Sequence, residues 1–478
     1  MRWPARVWRP PAARLAAGVA GATAVALLVL RPVSDPSPWL HLRVGELLAG
    51  GGRFGLPDPL TPSADRAYSP TQWLPSVVGY ELVRVLGVPA VAWMRVVAVL
   101  ALLVVLLATL RHRVAPRRAL LGGLVGTLLV VPAMTERPQT LGLVLLALQV
   151  HGWTRSGEDG RRRWWLVPLA WVFAATHGLW TVGLVAAAAV LAGVLLDGGT
   201  GGGTVGDGRA RVRHLAPVLL LQGLVTLATP LGPALLLTPF AVGGNGRRFV
   251  VEWQPGTLAD PAVATLLVLV AALAVVALRR GRRLRRSELL LLAVGLLLAV
   301  SAVRTAAPGL LVALPVLADH LLAPSGTAGA GGPRPSALPL AGALVAATVA
   351  ALVALPVARV VAAVPRVVPA GLAAPVAALP AGTVVLAQTD VSGWLLWTAP
   401  QVRPVVDLRA ESFSADHLQR FVATYQARPG WEALVDSSGA SYALLPRDAP
   451  VAGALLDVRH WRVDREADGY LLLARGAR

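Results

Sequence analysis

The sequence predicts an α-helical polytopic membrane protein with a small α/β domain on the extracytoplasmic side. Of its 478 residues, 55% are hydrophobic and only 14% are charged, and the mean hydropathy is +0.64. Apolar runs recur that are long enough to cross a bilayer as helices. Arg-rich tracts separate these runs, which is the positive-inside pattern of polytopic proteins. Together these features predict about 11 transmembrane helices.

The composition also excludes some functions. The chain contains no Cys, so disulfides and Cys-ligated metals are excluded, and its His residues lack metal-ligand spacing. A net charge of +19 would suggest nucleic acid as the partner of a soluble protein. Here the Arg residues follow the apolar runs, so we predict contact with membrane lipids and no nucleic-acid partner.

The first apolar run, Leu15–Leu30, follows four Arg residues and leads into Arg31 and Pro32 without a small-residue cleavage site. It therefore predicts an uncleaved helix with a cytoplasmic N-terminus. Assigning each later basic tract to the cytoplasm gives a consistent order of spans, although two of them, Thr140–Val150 and Trp165–Thr176, are short for a full crossing. The predicted later spans are Val88–Leu110, Leu120–Met134, Thr140–Val150, Trp165–Thr176, Leu179–Leu196, Leu215–Thr229, Pro261–Leu278, Leu289–Val303, Pro308–Leu322 and Leu338–Ala358.

This order predicts a transmembrane domain over residues 1–360 with a long first outer loop over residues 32–87. Two amphipathic stretches of that loop, Trp39–Leu48 and Leu74–Leu86, are expected to lie flat on the membrane surface. Residues 361–478 are predicted to form the extracytoplasmic α/β domain. Its expected strands and helix are Thr383–Leu386, Pro404–Asp407, Ser441–Leu445, Tyr470–Ala474 and the amphipathic helix Ala415–Gln426.

The outer loops carry most of the polar residues that could do chemistry. Charges at the membrane boundary are costly unless they are paired or face a cavity. A carboxylate there can deprotonate an acceptor hydroxyl. A single Arg guanidinium can bind two phosphate oxygens at once. Other interpretations are open: Glu136 and Arg304 could pair only to hold helices together, and His177 could be a packing residue. The candidate residues are Asp35, His41, Asp58, Arg137, Gln139, His177, Glu252 and Arg304.

The order of several motifs resembles the GT-C glycosyltransferases, the superfamily of protein mannosyltransferases and lipid-A aminoarabinose transferases. The resemblance covers nearly the whole chain. Its motifs are Asp35, Trp39, His41 and Gly45; Pro57-Asp58-Pro59; Trp73; Arg137-Pro138-Gln139; His177-Gly178; Glu252-Trp253; Arg304; Ser392-Gly393-Trp394-Leu395; and Val406-Asp407-Leu408-Arg409-Ala410-Glu411.

The resemblance implies a GT-C fold, a polyprenyl-phosphate-linked sugar as donor substrate, and Asp35 as catalytic base. GT-C loops often carry two acids close together, whereas Ser37 stands two positions after Asp35 here. The resemblance therefore makes Asp58 the candidate second catalytic acid. It implies no certain cofactor and leaves a bound divalent metal open.

We thus expect a glycosyltransferase of the bacterial inner membrane that transfers a sugar to an extracytoplasmic cell-envelope glycan, lipid or protein. His41, Arg137, Gln139, His177, Glu252 and Arg304 would bind substrate. One alternative is a non-catalytic scaffold protein of envelope assembly on the same fold. A transporter is less expected, because the charges gather at one face and no inverted repeat is evident.

Overall fold

The computed structural model describes residues 11–198, 205–281, 283–322, 340–363, 365–366 and 368–476. Most of the Arg residues that predict a cytoplasmic N-terminus precede residue 11 and lie outside these ranges. The helices of the N-terminal three quarters are α1 (Pro11–Val29), α2 (Ser37–Ala49), α3 (Trp73–Leu86), α4 (Ala90–Leu110), α5 (Pro116–Val130), α6 (Pro138–Asp159), α7 (Leu166–Thr176), α8 (Trp180–Asp197), α9 (Val205–Thr226), α10 (Thr238–Phe249), α11 (Pro261–Arg279), α12 (Arg286–Ser301), α13 (Ala306–Leu321) and α14 (Leu340–Val361).

The described part of each segment predicted as a membrane span is largely helical, with the first two residues of Leu338–Ala358 outside the described ranges, and the two predicted surface helices are α2 and α3. Within the described residues, five helices are long and apolar enough to cross a membrane: α1, α4, α8, α11 and α14. The remaining helices in this region are shorter or more polar, so the number of crossings stays a prediction.

The predicted span Thr140–Val150 is too short. Helix α6 runs for 22 residues, from Pro138 to Asp159. Its second half is helical because its polar side chains have partners inside the helix bundle: the Trp153 indole N–H donates to Gln222 at 2.8 Å, and Gln222 donates to Gln149 at 2.9 Å. Polar residues that suggested a helix end therefore face the interior.

Helices α2 and α3 pack together at a glycine. A Cβ atom at Gly45 would lie 2.0 Å from the carbonyl oxygen of Ser76, so only glycine permits this approach. A second close contact joins α2 to the C-terminal region, where a Cβ atom at Gly393 would lie 3.0 Å from the backbone nitrogen of Leu40. The first outer loop is thereby packed between the helix bundle and the C-terminal region.

The C-terminal region contains a five-stranded sheet with helices around it. The strand order is β2-β1-β3-β5-β4; β1 pairs in parallel with β2 and β3, while β5 pairs antiparallel with β3 and β4. Its elements are α15 (Ala373–Ala377), β1 (Val384–Ala387), α16 (Thr389–Thr398), β2 (Arg403–Pro404), α17 (Ala415–Tyr425), α18 (Glu432–Ser438), β3 (Tyr442–Pro446), α19 (Pro450–Asp457), β4 (Arg462–Ala467) and β5 (Tyr470–Ala474).

The four strands and the helix predicted for this region are all present, with shifts of a few residues at their ends. Strand β4 is the one that the sequence pattern misses, because five of its six residues are exposed and no apolar alternation marks it. The sheet is not packed separately from the rest of the chain. Trp39 and Ala90 share one buried cluster with Val385 and Leu395.

Candidate active site

Asp35 lies immediately before helix α2 and is 5% exposed. The backbone N–H of Ser37 donates to its Oδ1 at 2.9 Å. The carboxylate thus sits at the N-terminal end of a helix, where the unpaired N–H groups and the helix dipole favour negative charge. The chain folds in this way locally because Pro36 and Pro38 suit the first positions of a helix.

Arg137 joins the second predicted outer loop, Thr135–Gln139, to two other loops. Its Nε donates to Asp35 Oδ2 at 2.5 Å, and its Nη1 donates to both carboxylate oxygens of Glu252 at 2.9 and 2.8 Å. The partners are 102 and 115 residues away along the chain. We call Asp35, Arg137 and Glu252 the open cluster, because the Arg137 and Glu252 side chains are 26% and 42% exposed.

Arg304 lies beside this cluster and is held without a carboxylate. Its Nη2 donates to Gln139 Oε1 at 2.9 Å, and its guanidinium carbon lies 4.8 Å from the ring centroid of Trp253, a cation–π contact. In the described part of the chain, no carboxylate oxygen lies within 4.0 Å of an Arg304 side-chain nitrogen. Its guanidinium therefore has no directly bonded carboxylate among these residues, although the charges of Glu252 and Glu411 act on it.

His41 presents a hydrogen-bond acceptor. The Ser76 hydroxyl donates to the Gln72 carbonyl at 2.8 Å, so its oxygen accepts from His41 Nδ1–H at 3.2 Å. The other ring nitrogen, Nε2, then carries the lone pair. Burial lowers the pKa of His41 to about 4, against the raising influence of Asp35, so the ring is neutral at pH 7.

His177 presents a donor instead. The backbone N–H of Leu179 donates to His177 Nδ1 at 3.2 Å, which leaves the proton on Nε2. Burial and, to a smaller extent, the charge of Arg304 lower the pKa of His177 to about 3. His41 is close enough to lower the pKa of His177 as well, so the two rings lie in the same neighbourhood.

A narrow cavity of about 60 Å³ lies beside the open cluster. It is lined by His41, Arg137 and Glu136 together with apolar residues of α2, α3, α4 and α6.

Glu136 Oε1 lies 3.3 Å from Arg31 and 3.7 Å from Arg95. Glu136 therefore pairs with Arg residues of the first helices and not with Arg304, and it ties the ends of α1 and α4 to the second outer loop.

Asp58 lies elsewhere. Its carboxylate accepts the backbone N–H groups of Leu60 and Thr61 at 2.9 and 3.0 Å, and two Arg409 N–H groups at 2.9 and 2.8 Å. Arg409 also donates to Asp407 at 2.6 Å. We call Asp58, Arg409 and Asp407 the closed cluster, since these side chains are at most 2% exposed.

The expectation that Asp58 is a second catalytic acid does not fit this geometry. Its carboxylate is buried and accepts four hydrogen bonds, three on Oδ1 and one on Oδ2, and within the described ranges no hydrogen bond or ion pair connects it to Asp35. Asp58 instead ties the first outer loop to the C-terminal region. The signal that could have revealed this is the Asp407-Leu408-Arg409 motif, which supplies its partner.

The other predicted residues form one neighbourhood. Hydrogen bonds join Asp35, Arg137 and Glu252, and they join Gln139 to Arg304. The charges of Glu252 and Arg137 both act on Arg304. Sequence reasoning missed Ser76 and Asp390 (an acid that opens α16), although Ser76 was marked by being polar on an otherwise apolar face of α3.

The open cluster does not fit a bound divalent metal. The guanidinium of Arg137 occupies the space between Asp35 and Glu252, where a cation bridging both carboxylates would have to lie. The described residues also contain no group of three His, Cys, Asp or Glu side chains that could hold a metal ion.

No family model matches the sequence, and no curated protein matches it. Solved structures do. The oligosaccharyltransferase of Archaeoglobus fulgidus in the apo form is 10% identical, with a TM-score of 0.57 over 93% of this chain and 70% of that one. ArnT from Cupriavidus metallidurans bound to undecaprenyl phosphate is 17% identical, with a TM-score of 0.55 over 98% of this chain and 99% of that one.

The chain has the GT-C fold. A third structure agrees: the archaeal oligosaccharyltransferase AglB, in complex with an inhibitory peptide and a dolichol-phosphate, is 12% identical with a TM-score of 0.56 over 91% of this chain and 69% of that one. The resemblance derived from the motif order is therefore confirmed at the level of the GT-C fold. At these identities the likeness carries no residue roles, so the roles are argued from the open cluster.

Proposed function

We propose that this GT-C protein is a glycosyltransferase that moves a sugar from a polyprenyl-phosphate donor to an acceptor of the cell envelope. It would lie in the bacterial inner membrane, with a cytoplasmic N-terminus and an extracytoplasmic C-terminal domain over residues 361–478. The observation that carries the proposal is an oriented carboxylate, Asp35, bonded to Arg137, beside a second guanidinium, Arg304, that has no carboxylate oxygen within 4.0 Å among the described residues.

Asp35 would act as the base. An acceptor hydroxyl oxygen attacks the anomeric carbon of the sugar, and its proton passes to the Asp35 carboxylate. The bond between the anomeric carbon and the phosphate oxygen breaks, and the polyprenyl phosphate leaves with the electron pair. Ser37 N–H and Arg137 fix the direction of the carboxylate, since each holds one of its oxygens.

Arg304 and Arg137 would bind the phosphate. Arg304 is stacked on Trp253 and oriented by Gln139, so its guanidinium is fixed before the donor arrives. Glu252 is the most exposed member of the open cluster, and phosphate oxygens could displace it from Arg137.

His177 Nε2–H would be a further donor to the same oxygens, while His41 Nε2 would accept a hydrogen bond from substrate. Two of the similar structures hold undecaprenyl phosphate and dolichol-phosphate as bound molecules, which supports a lipid-phosphate donor.

The variant Asp35→Asn tests the proposal. We expect transfer to fall by about 10²–10⁴-fold, because the amide cannot accept the proton although it keeps the shape of the side chain. The measurement is release of undecaprenyl phosphate from a panel of undecaprenyl-phosphate-linked sugars, with the full chain in lipid nanodiscs. Glu81→Gln is the control, since Glu81 is an exposed outer-loop acid paired only with Arg84. Undiminished release by a well-folded Asp35→Asn protein would disprove the role of Asp35.

A further inference from the structure

A second cavity, of about 350 Å³, lies between the first outer loop and the C-terminal sheet. Its volume is in the range of small-molecule sites, about 300–1,000 Å³. Its polar walls come from β5, the segments beside it and the chain that follows α14. The lining side chains used below are Pro36, Arg366, Gln388, Asp390, Asp468 and Tyr470.

This cavity adjoins the open cluster. Pro36 lines it and is the residue directly after Asp35. Asp390 lies on the wall at the start of α16, and the charges of both Arg137 and Asp35 act on it. One wall of the cavity is therefore formed by the residue that follows Asp35, the proposed base.

The polar groups on the walls are oriented but not saturated. The Tyr470 hydroxyl donates to Gln388 Oε1 at 3.4 Å, which leaves the Gln388 amide N–H groups as donors. Asp468 Oδ2 accepts the Gly371 N–H at 2.7 Å, and its Oδ1 has lone pairs to spare. Asp390 makes no hydrogen bond or ion pair with the residues that the structure describes.

We infer that this cavity is the acceptor site and that it takes a hydroxyl-rich saccharide. The inference rests on the proposed function and names the class of its acceptor. Sugar hydroxyls both donate and accept, and the walls offer two carboxylates as acceptors and the Gln388 amide and Arg366 guanidinium as donors. The Tyr470 ring adds an apolar face of the kind on which a sugar ring can pack.

Other ligand chemistries fit less well. A phosphate would lie close to the two carboxylates, Asp390 and Asp468, which repel it. A polyprenyl chain would desolvate four polar side chains without giving hydrogen bonds in return. The donor phosphate is better served by Arg304 and Arg137, so donor and acceptor would approach Asp35 from different sides.

The test is binding of methyl α- and β-glycosides of glucose, galactose, mannose and arabinose to the full chain in nanodiscs, measured by saturation-transfer NMR. These probes carry neither phosphate nor lipid. We expect at least one to bind, and we expect Asp390→Asn and Tyr470→Phe each to weaken it about tenfold, the effect of one lost hydrogen bond. Asp464→Asn is the matched control, because Asp464 is an exposed acid of β4 in the same region that does not line the cavity.

Three results would overturn the inference. The first is that no glycoside binds the wild type, and the second is that the two cavity variants bind glycoside as the wild type does. The third is that inorganic phosphate displaces the glycoside and a Ser/Thr peptide binds to the cavity. Asp35→Asn separates this inference from the proposed function. If the cavity inference holds, that variant keeps glycoside binding, whether or not it loses transfer. If transfer is Asp35-dependent but no glycoside binds, the acceptor inference alone fails.

Discussion

The open and closed clusters have the same composition and opposite environments. Each places one guanidinium between two carboxylates, and each ties the first outer loop to a distant part of the chain. In the closed cluster every side chain is buried and the hydrogen bonds are complete. In the open cluster Glu252 and Arg137 remain partly exposed, and Arg304 stands beside them without a carboxylate.

The difference shows which property separates a structural ion pair in this fold from the one that we propose to react. Residue types and spacing do not separate Asp35 from Asp58, since both are acids in the same loop. The number of hydrogen bonds does: Asp58 accepts four, whereas Asp35 accepts one from Ser37 and one from Arg137. Asp35 keeps a free lone pair on each oxygen, whereas three of the four hydrogen bonds to Asp58 fall on its Oδ1 and its other oxygen is buried against Arg409.

The largest expected effect is on the closed cluster. Arg409→Ala leaves two buried carboxylates without a partner, and we expect the free energy of unfolding to fall by about 3–5 kcal/mol. Thermal unfolding in detergent measures it. The control is Arg447→Ala, which removes an exposed pair with Glu466 and is expected to cost at most about 1 kcal/mol. Equal losses in the two variants would contradict the distinction between the clusters.

A smaller effect is the pH dependence of the free energy of unfolding that comes from His177, which lies near Arg304. The pKa of His177 is about 3 in the folded chain and about 6.5 when unfolded. Between these values the unfolded chain binds more protons, so stability falls as the pH falls. From pH 7 to 5 this one ring should cost about 1–2 kcal/mol.

The variant His177→Asn isolates this contribution. The Asn Oδ1 can accept the Leu179 N–H in place of Nδ1, and it does not titrate. We therefore expect the melting temperature of His177→Asn to fall less than that of the wild type between pH 7 and 5. Parallel curves for the two proteins would show that His177 is not buried in its neutral form.

The smallest effect sharpens the comparison directly. Glu252→Gln alters an ion pair that is 42% exposed on the acid side, and we expect the free energy of unfolding to change by less than about 1 kcal/mol. Asp58→Asn is its counterpart in the closed cluster and should cost more, because a buried hydrogen-bonded charge is replaced. A larger loss for Glu252→Gln than for Asp58→Asn would reverse the assignment of the two clusters.

Much of the helical framework could be predicted from the sequence, because each apolar run has the period and length of a helix that buries one face. Helix α6 was cut short in the prediction, since the span was ended at Val150, ahead of the basic residues that begin at Arg155. Its second half is helical because Gln149 and Trp153 bond to Gln222 of α9, which no local pattern reveals, and Thr154 donates to Val150 within α6.

The candidate site was predictable in its members and not in its pairings. Charge patterning placed Asp35, Arg137 and Glu252 in the outer loops, but which acid meets which Arg depends on packing across 102 to 351 residues. Asp58 was assigned to catalysis because the resemblance implies a second acid near Asp35, and the sequence does not show which Arg it meets. Its partner Arg409 lies in a motif that resembled the family, and nothing in that motif announces an ion pair with the first loop.

Gly393 has a consequence beyond packing. It lets α16 approach α2 to the distance at which Asp390 and Asp35 lie at neighbouring helix starts. The distance between the proposed acceptor cavity and the proposed base therefore depends on the absence of a side chain at Gly393. Any larger residue there would push α16 away from α2, so we expect it to widen the separation between the proposed acceptor cavity and the proposed base.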